Sequence, residues 1–269
     1  EIIKCDWSSD VCSSDLWAHI MKERFGAKKA KSMMLRVHTQ TAGSMLTAQQ
    51  VDNNIVRVAL QTAAAVMGGT QSLHTNSRDE ALALPTEASV QVALRTQQIV
   101  AYESGLADVV DPLGGSYYVE AMTNAIYEEA AEYIRKIDEM GGAVVAIEKG
   151  YIQKEIQESA YKWQMEVESG LRTIVGVNKF QVEEKPVEGL LRVDASVGVN
   201  QAKKTQKVRE TRDNEAVKKA LDALKAGAKD ESVNLMPLIL DAVRTYATLG
   251  EICNVLRDVF GEYQAHSTL

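Results

Sequence analysis

Two consecutive strand–loop–helix patterns, each closed by glycine, constrain the fold of this chain more than any other feature. The first joins a strand predicted over residues 33–40 to a helix whose apolar positions recur every three or four residues until the glycine pair at 68–69. The second joins a short strand over residues 70–75 to a helix over 86–104 that stops at Gly105. Successive units of this kind imply parallel strands and an α/β fold, either a barrel or a doubly wound sheet.

The rest of the chain is predicted to be mostly helical. The predicted features are a capping box at Thr47 and Gln50, a turn over 111–116, helices over 119–140 and 151–169, short strands over 173–182 and 190–193, an exposed helical segment over 200–226, and helices over 233–247 and 249–260. The change from long helices to short strands around Pro186 predicts a domain boundary near residue 180.

The composition is that of a protein that folds around an apolar core. Of the 269 residues, 45% are hydrophobic and 25% are charged, and the formal net charge is -7. This balance provides no basic field, which argues against nucleic acid or an anionic membrane as a general partner. The longest apolar stretches are interrupted well before the roughly 20 residues that a membrane span needs, so no membrane partner is predicted.

The first 16 residues differ in character from the rest of the chain. They contain two of the three cysteines and show neither helical nor strand periodicity, and they resemble a translated sequencing-adapter read. We expect residues 1–16 to be a non-native artefact, with Trp17 as the first genuine residue; charges interrupt any signal-peptide core. The remaining Cys253 lies in an apolar, helix-like stretch, which predicts a buried thiol in a reducing cytoplasm.

Polar and apolar side chains alternate along the first predicted strand. Arg36, His38 and Gln40 point to one side of the strand, and Leu35 and Val37 point to the other. The outer face of a parallel barrel packs against helices and must be apolar, which directs the polar row to the interior. Buried cations and imidazoles need partners that an ordinary packed core does not supply.

The second predicted strand is also polar, with Gln71, Ser72, His74 and Thr75. Taken singly, such residues are more often structural polar residues or parts of loops. Together, two adjacent strands with polar inner faces predict a barrel that holds a long polar ligand along its axis.

Other kinds of chemistry have weaker support. His38 and His74 lack the spacing of a metal site, so no metal is predicted. Asn76 and Glu80 follow the second strand, where barrel sites are built, although plain solvent exposure is an equal explanation. The sequence contains no P-loop, dinucleotide-binding glycine motif, nucleophile elbow or HExxH motif.

Three runs resemble the methylmalonyl-CoA mutase family: RVHTQTAGSMLTAQQVDNNIVRVALQ, GGTQSLHTNSRDEALALPTEAS and ESGLADVVDPLGGSYYVE. The resemblance covers about residues 17–179 and implies the last two strand–helix units of a TIM (β/α)8 barrel. The C-terminal tail resembles catalytic subunits that lack a fused cobalamin domain. The implied division is residues 17–180 as the C-terminal part of the barrel, and 181–269 as a linker and helical region.

The resemblance implies a radical isomerase that uses adenosylcobalamin to interconvert methylmalonyl-CoA and succinyl-CoA. It places Arg36, His38 and Gln71 along the channel for the acyl-CoA substrate, where Arg36 would meet phosphate or carboxylate charge. It assigns no catalytic residue and no metal ligand to this part of the chain.

The resemblance also implies contacts with the cofactor. Gln40 and Gly43 would lie at the cobalt-facing mouth of the barrel, where glycine allows the corrin to approach the backbone. Asn76 and Glu80 would hold the adenosyl ribose hydroxyls, which both donate and accept hydrogen bonds. Ala83 would contact the corrin closely.

Two features of the family are missing from the sequence. The earlier strands, which decide the substrate, are absent, and so is the DxHxxG motif that marks a cobalamin-binding domain. The resemblance therefore implies a separate cobalamin-binding subunit, a hetero-oligomer, and a chain that is inactive alone and exposes a sheet edge. The alternatives are the large subunit of isobutyryl-CoA or 2-hydroxyisobutyryl-CoA mutase, a non-catalytic structural subunit, and a barrel with an unrelated small-molecule site.

Overall fold

The computed structural model describes residues 6–264, which divide into two compact units, the first ending at Arg192 and the second beginning at Val193. The first unit contains α1 (Asp6–Glu23), α2 (Ala30–Met33), β1 (His38–Gln40), α3 (Asn53–Met67), β2 (Ser72–His74), α4 (Glu87–Tyr102), α5 (Tyr117–Glu139), α6 (Ala143–Glu148) and α7 (Tyr151–Glu168). The second contains α8 (Ala195–Thr211), α9 (Asn214–Gly227), α10 (Leu235–Arg244) and α11 (Leu249–Phe260). The functional division at residue 180 stays a prediction.

The predicted parallel pair of strands is present, but both strands are shorter than predicted: β1 covers only His38–Gln40 of residues 33–40, and Met33 ends α2. β1 and β2 pair in parallel, with His38 opposite Ser72, Thr39 opposite Leu73 and Gln40 opposite His74. α3 connects the two strands, and α4 follows β2 and packs against α3. The described residues thus contain two strand–helix units around a small parallel sheet. Their place in a TIM barrel stays a prediction.

The predicted capping box at Thr47 and Gln50 is wrong. The Thr47 hydroxyl donates to the Gln49 carbonyl oxygen at 2.8 Å, and Gln50 adopts a left-handed backbone with φ of 47°. These two features make a turn, so α3 begins later, at Asn53. Its end at Gly68 agrees with the glycine pair in the sequence.

Two predicted strands after α7 are also wrong. Among residues 173–193 the only bridge is an isolated one between Val175 and Lys179. The Asn178 side chain satisfies the local backbone instead, accepting from Ile174 N at 2.7 Å and donating to the carbonyl oxygens of Val167 and Arg172. A side-chain amide that bonds its own neighbourhood removes the need for a partner strand.

The second unit has a small apolar core formed by Leu224, Ala242 and Ile252, where α9, α10 and α11 meet. The predicted helical segment over 200–226 is two helices, and Asp213 caps the second by accepting from two backbone N–H groups. Cys253 is exposed, so its predicted burial is wrong. Successive helical residues lie about 100° apart, and Ile252 occupies the core-facing position beside it.

Helix α1 begins at Asp6, inside the segment where no element was predicted. It packs on α5, and Cys12 is buried. Burial, followed by the nearby Asp15 carboxylate, raises the pKa of the Cys12 thiol. Residues 1–5 lie outside the described part of the chain, and the non-native origin of residues 1–16 stays a prediction. No helix among the described residues combines the length and apolarity that crossing a bilayer requires.

Candidate functional site

The loops after β1 and β2 meet at the carboxyl end of the sheet. Thr41 N donates to the His74 carbonyl oxygen at 3.0 Å, which extends the ladder by one residue. The chain after β1 then makes a 3-10 turn over Gly43–Met45, while the chain after β2 turns between Asn76 and Glu80. This edge is where parallel α/β folds place their ligands.

Asn76 is the most constrained side chain at this edge and is only 3% exposed. Its Nδ2 donates to the Thr41 carbonyl oxygen at 2.8 Å, and its Oδ1 accepts from Gln40 Nε2 at 3.0 Å. Its backbone N–H donates to Thr41 Oγ1 at 2.9 Å. Because a primary amide offers two donors and two acceptor lone pairs, one of each remains for a ligand.

Gly43 lies against both Asn76 and Glu80. A Cβ atom at position 43 would come within 3.0 Å of Asn76 Nδ2 and 3.3 Å of Glu80 Oε1. The need for glycine is therefore a matter of space. The Glu80 side chain is exposed, and none of the hydrogen bonds found among the described residues involves its carboxylate.

The structure thus brings together four of the five residues predicted to bind the cofactor. Ala83, the fifth, lies three residues beyond Glu80 in the same turn, where its N–H donates to the Asp79 carbonyl oxygen at 2.9 Å.

A cavity of about 380 Å³ opens beside this cluster. Polar groups from the strand ends form one side of it and an apolar side of α4 forms the other, through Gln40, His74, Asn76, Glu80, Val90 and Leu94. A larger cavity of about 500 Å³ lies along α3, and none of the predicted site residues lines it. The smaller cavity has the convergent polar groups that orient a polar ligand.

The predicted polar row on β1 is present. Arg36, just before β1, and His38 and Gln40 within it are exposed, whereas the alternate residues Leu35 and Val37 are partly buried. At about 3.3 Å per residue, the row extends about 13 Å from Arg36 to Gln40. His38 Nδ1 lies 2.7 Å from Ser72 Oγ, which leaves Nε2 available to a ligand.

The side chain of Gln71 makes hydrogen bonds to the backbone, which the sequence did not reveal. Its Oε1 accepts from Val37 N at 2.6 Å, and its Nε2 donates to the Gly69 carbonyl oxygen at 2.6 Å. The side chain therefore closes the amino-terminal end of the sheet, with one N–H and one lone pair left over.

Sequence reasoning also missed Asn54, which is fully buried at the start of α3. Its Nδ2 donates to the carbonyl oxygens of Thr47 and Arg78, both at 2.8 Å, and its Oδ1 accepts from Thr47 N at 3.1 Å. One amide therefore ties the loop after β1 to the loop after β2. The available signal was an Asn four residues before the buried Val58, on the apolar face of the helix.

Arg57 reinforces this tie. Its Nη1 donates to Asn54 Oδ1 at 2.7 Å and to Thr47 Oγ1 at 3.0 Å, and its Nη2 donates to the Val175 carbonyl oxygen at 2.8 Å. Burial lowers the pKa of the Arg57 guanidinium from its ordinary value. The two residues fix the loops that carry the candidate site.

We expect Asn54→Ala to lower the free energy of unfolding of the first unit by about 2 kcal/mol, because it leaves three partly buried backbone groups of Thr47 and Arg78 without their partner. Urea denaturation followed by tryptophan fluorescence measures this, since all three tryptophans precede Val193. Asn53→Ala is the matched control: its amide donates once, to Gln50 Oε1, and its loss should cost less than about 1 kcal/mol. Equal losses in both variants would contradict the role given to Asn54.

Comparison with known proteins identifies the family. The family model described as methylmalonyl-CoA mutase matches residues 13–262, so the chain belongs to that family. Its relatives are named mutases, which are isomerases of the intramolecular-transferase kind.

Individual relatives include the 2-hydroxyisobutanoyl-CoA mutase large subunit of Aquincola tertiaricarbonis, 47% identical over 92% of this chain and 44% of its own length. The probable mitochondrial methylmalonyl-CoA mutase of Caenorhabditis elegans is 46% identical over 94% of this chain and 34% of its own length. The mitochondrial methylmalonyl-CoA mutase of Homo sapiens is 44% identical over the same shares. The chain therefore spans less than half the length of these relatives.

Proposed function

We propose that this chain supplies the last two strand–helix units of a TIM (β/α)8 barrel in the catalytic subunit of an adenosylcobalamin-dependent acyl-CoA mutase. The reaction is the interconversion of methylmalonyl-CoA and succinyl-CoA. The observation that carries the proposal is the convergence of Gln40, Gly43, Asn76 and Glu80 at the carboxyl end of two parallel strands. A structural subunit would have no use for such a ligand-binding cluster.

The surfaces around the sheet support an unfinished barrel. Within the described residues the sheet has only two strands, so each presents one edge without a partner. Apolar side chains that do not line the site cavity are exposed on both helices that flank the sheet, with Val56 and Leu60 on α3, and Val92 and Ile99 on α4, each at least 40% exposed. Further strand–helix units would cover these faces.

The residues at the site fit the adenosyl group of the cofactor. Asn76 retains one donor and one acceptor, and the Glu80 carboxylate is free to accept, which together match a ribose diol. When bound, adenosylcobalamin supplies a carbon-centred radical by homolysis of its cobalt–carbon bond. The chain's own part is to orient the ribose through Asn76 and Glu80, to give the corrin space at Gly43 and Ala83, and to exclude water.

The acyl-CoA substrate would lie along the polar row of β1. Arg36 would bind phosphate or carboxylate oxygens, and His38 would donate through Nε2 while Ser72 holds Nδ1. Gln71 would contact the same channel through the one N–H and the one lone pair that its side-chain amide still has free. The row's length of about 13 Å suits an extended ligand.

The partner we propose is a separate cobalamin-binding subunit in a hetero-oligomer. The relative from Aquincola tertiaricarbonis is named a large subunit, which supports an assembly of more than one kind of subunit. We infer a cytoplasmic location because Cys12 and Cys253 are free thiols, which suits a reducing compartment. That relative also favours a second candidate function, the isomerisation of 2-hydroxyisobutyryl-CoA; isobutyryl-CoA is a third substrate of the same class.

The proposal is tested with two chimeras in which residues 17–264 replace the aligned part of a mutase. One host is the 2-hydroxyisobutanoyl-CoA mutase large subunit and the other is a methylmalonyl-CoA mutase. Each chimera is assayed with adenosylcobalamin, the host's cobalamin-binding part and the host's substrate; the chain alone should be inactive. Turnover in either host supports a mutase barrel, in which the host supplies the strands that decide the substrate. Turnover in only one of the two hosts indicates which type of mutase barrel these residues complete, methylmalonyl-CoA mutase for the proposal and 2-hydroxyisobutanoyl-CoA mutase for the second candidate. Folded chimeras that bind no corrinoid would refute both.

We expect Gly43→Ala to weaken adenosylcobalamin binding about tenfold, because the added Cβ displaces Asn76 and Glu80 from the ribose. Titration of the chimera followed by visible absorption measures the affinity. Gly250→Ala is the matched control, since a Cβ at that position meets nothing within 4 Å. An unchanged affinity in Gly43→Ala would remove Gly43 from the site.

A further inference from the structure

Thr41 contacts Asn76 through both its main chain and its side chain. It follows β1 directly, lies between Gln40 and the turn that contains Gly43, and is 4% exposed. We propose that Thr41 is a positioning residue that orients the Asn76 amide toward the ribose of the bound nucleoside. This inference rests on the proposed function and names a residue that acts through Asn76.

The geometry gives Thr41 control over both the position and the plane of the amide. Thr41 Oγ1 accepts the Asn76 backbone N–H at 2.9 Å, which fixes the main chain from which the side chain extends. The Thr41 carbonyl oxygen accepts Asn76 Nδ2 at 2.8 Å, which fixes the rotation of the amide. Thr41 is itself held by its N–H bond to the His74 carbonyl oxygen at 3.0 Å.

These contacts decide which donor and which acceptor of the Asn76 amide remain for a ligand. With Nδ2 bonded to Thr41 and Oδ1 bonded to Gln40, the second N–H and the second lone pair are free. If Oγ1 is removed, the Asn76 N–H is left buried without an acceptor, and the loop shifts to recover one. The free N–H and the free lone pair of the Asn76 amide then no longer meet the ribose hydroxyls, although the pocket itself persists.

A second buried threonine, Thr62, has a hydroxyl whose role is purely structural. Thr62 is fully buried in α3, and its Oγ1 donates to the Val58 carbonyl oxygen at 2.7 Å, within its own helix. Its loss should affect stability alone. Thr62→Val is therefore a matched control for Thr41→Val.

The experiment uses the chimera with its cobalamin-binding part, and compares adenosylcobalamin with hydroxocobalamin, which carries hydroxide in place of the adenosyl group. Dissociation constants are measured by visible absorption for the unsubstituted chimera, Thr41→Val, Thr41→Ser and Thr62→Val. We expect Thr41→Val to weaken adenosylcobalamin binding about tenfold and leave hydroxocobalamin unchanged. Thr41→Ser, which keeps the hydroxyl, should restore binding, and Thr62→Val should bind both as the unsubstituted chimera does.

Equal weakening of both corrinoids in Thr41→Val would overturn the positioning role, because a general disturbance does not distinguish the nucleoside. If Thr41→Val does not fold, Thr41→Cys keeps a similar shape with a weaker acceptor, and must show the same selective loss. Glu80→Ala separates the two proposals. If Glu80→Ala abolishes the preference for adenosylcobalamin over hydroxocobalamin while Thr41→Val retains that preference, the Thr41 inference fails and the proposed function survives. If the folded, unsubstituted chimera binds neither corrinoid, the proposed function itself has failed.

Discussion

Replacement of Glu80 by alanine is expected to reduce turnover of the chimera by about 100-fold or more, with little change in its stability. The carboxylate is exposed and lies against Gly43, so its removal leaves no buried group without a partner. A hydrogen bond to a charged acceptor contributes about 1.5–3 kcal/mol, and two ribose hydroxyls offer two such bonds. The measurement is kcat together with KM for adenosylcobalamin, with thermal denaturation as the check on folding.

Glu103→Ala provides the control for this substitution. Glu103 is an exposed carboxylate at the end of α4, far along the helix from the site loops, and its removal should leave both kinetic constants unchanged. Glu80→Gln keeps an acceptor oxygen without the charge, so its turnover should lie between those of the alanine variant and the unsubstituted protein. Full activity in Glu80→Ala would remove the residue from the ribose site.

The features that the sequence predicted well are those set by local periodicity and glycine. The parallel pairing of β1 and β2 follows from two strand–helix units in succession. The C-terminal end of α3 and both ends of α11 agree with the predicted bounds. The alternation of polar and apolar residues over 35–40 predicted the alternating exposure that these residues show, because side chains in an extended chain alternate between two sides.

The features it missed depend on contacts between distant residues. The apolar stretch over 173–182 has strand propensity, but no partner strand is present among the described residues and Asn178 satisfies its backbone. Cys253 and Ile252 are neighbours in the sequence, and only helix packing decides which one faces the core. Asn54 and Thr41 are ordinary polar residues until the fold places another loop beside them. Family resemblance suggested the ligand-facing residues, and the structure alone shows what holds them in place.

Replacement of Glu251 by alanine is expected to lower the free energy of unfolding of the second unit by about 3–5 kcal/mol, because the substitution leaves the Arg212 guanidinium buried without its counter-charge. Arg212 Nη1 and Nη2 donate to the two carboxylate oxygens of Glu251 at 2.7 and 2.6 Å, and the Arg212 side chain is 6% exposed. Glu251 also accepts from Thr248 N at 2.8 Å in a capping box at the start of α11. Hydrogen–deuterium exchange of peptides from α9 and α11 measures the loss.

The same carboxylate predicts how stability depends on pH. Hydrogen bonds from Arg212, followed by those from Thr248, outweigh burial and lower the pKa of Glu251 from 4.5 to about 2. A lowered pKa in the folded state means that the stabilisation, about 3 kcal/mol, is fully present above pH 4.5 and is lost as the pH falls toward 2. Glu251→Gln cannot titrate at this position, so the difference in stability between it and the unsubstituted chain should shrink over that interval.

Asp241→Ala is the control for Glu251→Ala. It breaks an exposed pair with Arg244 and should cost less than about 1 kcal/mol at any pH. If Glu251→Ala costs no more than Asp241→Ala, the pair with Arg212 does not hold the second unit together, and its core of Leu224, Ala242 and Ile252 must suffice.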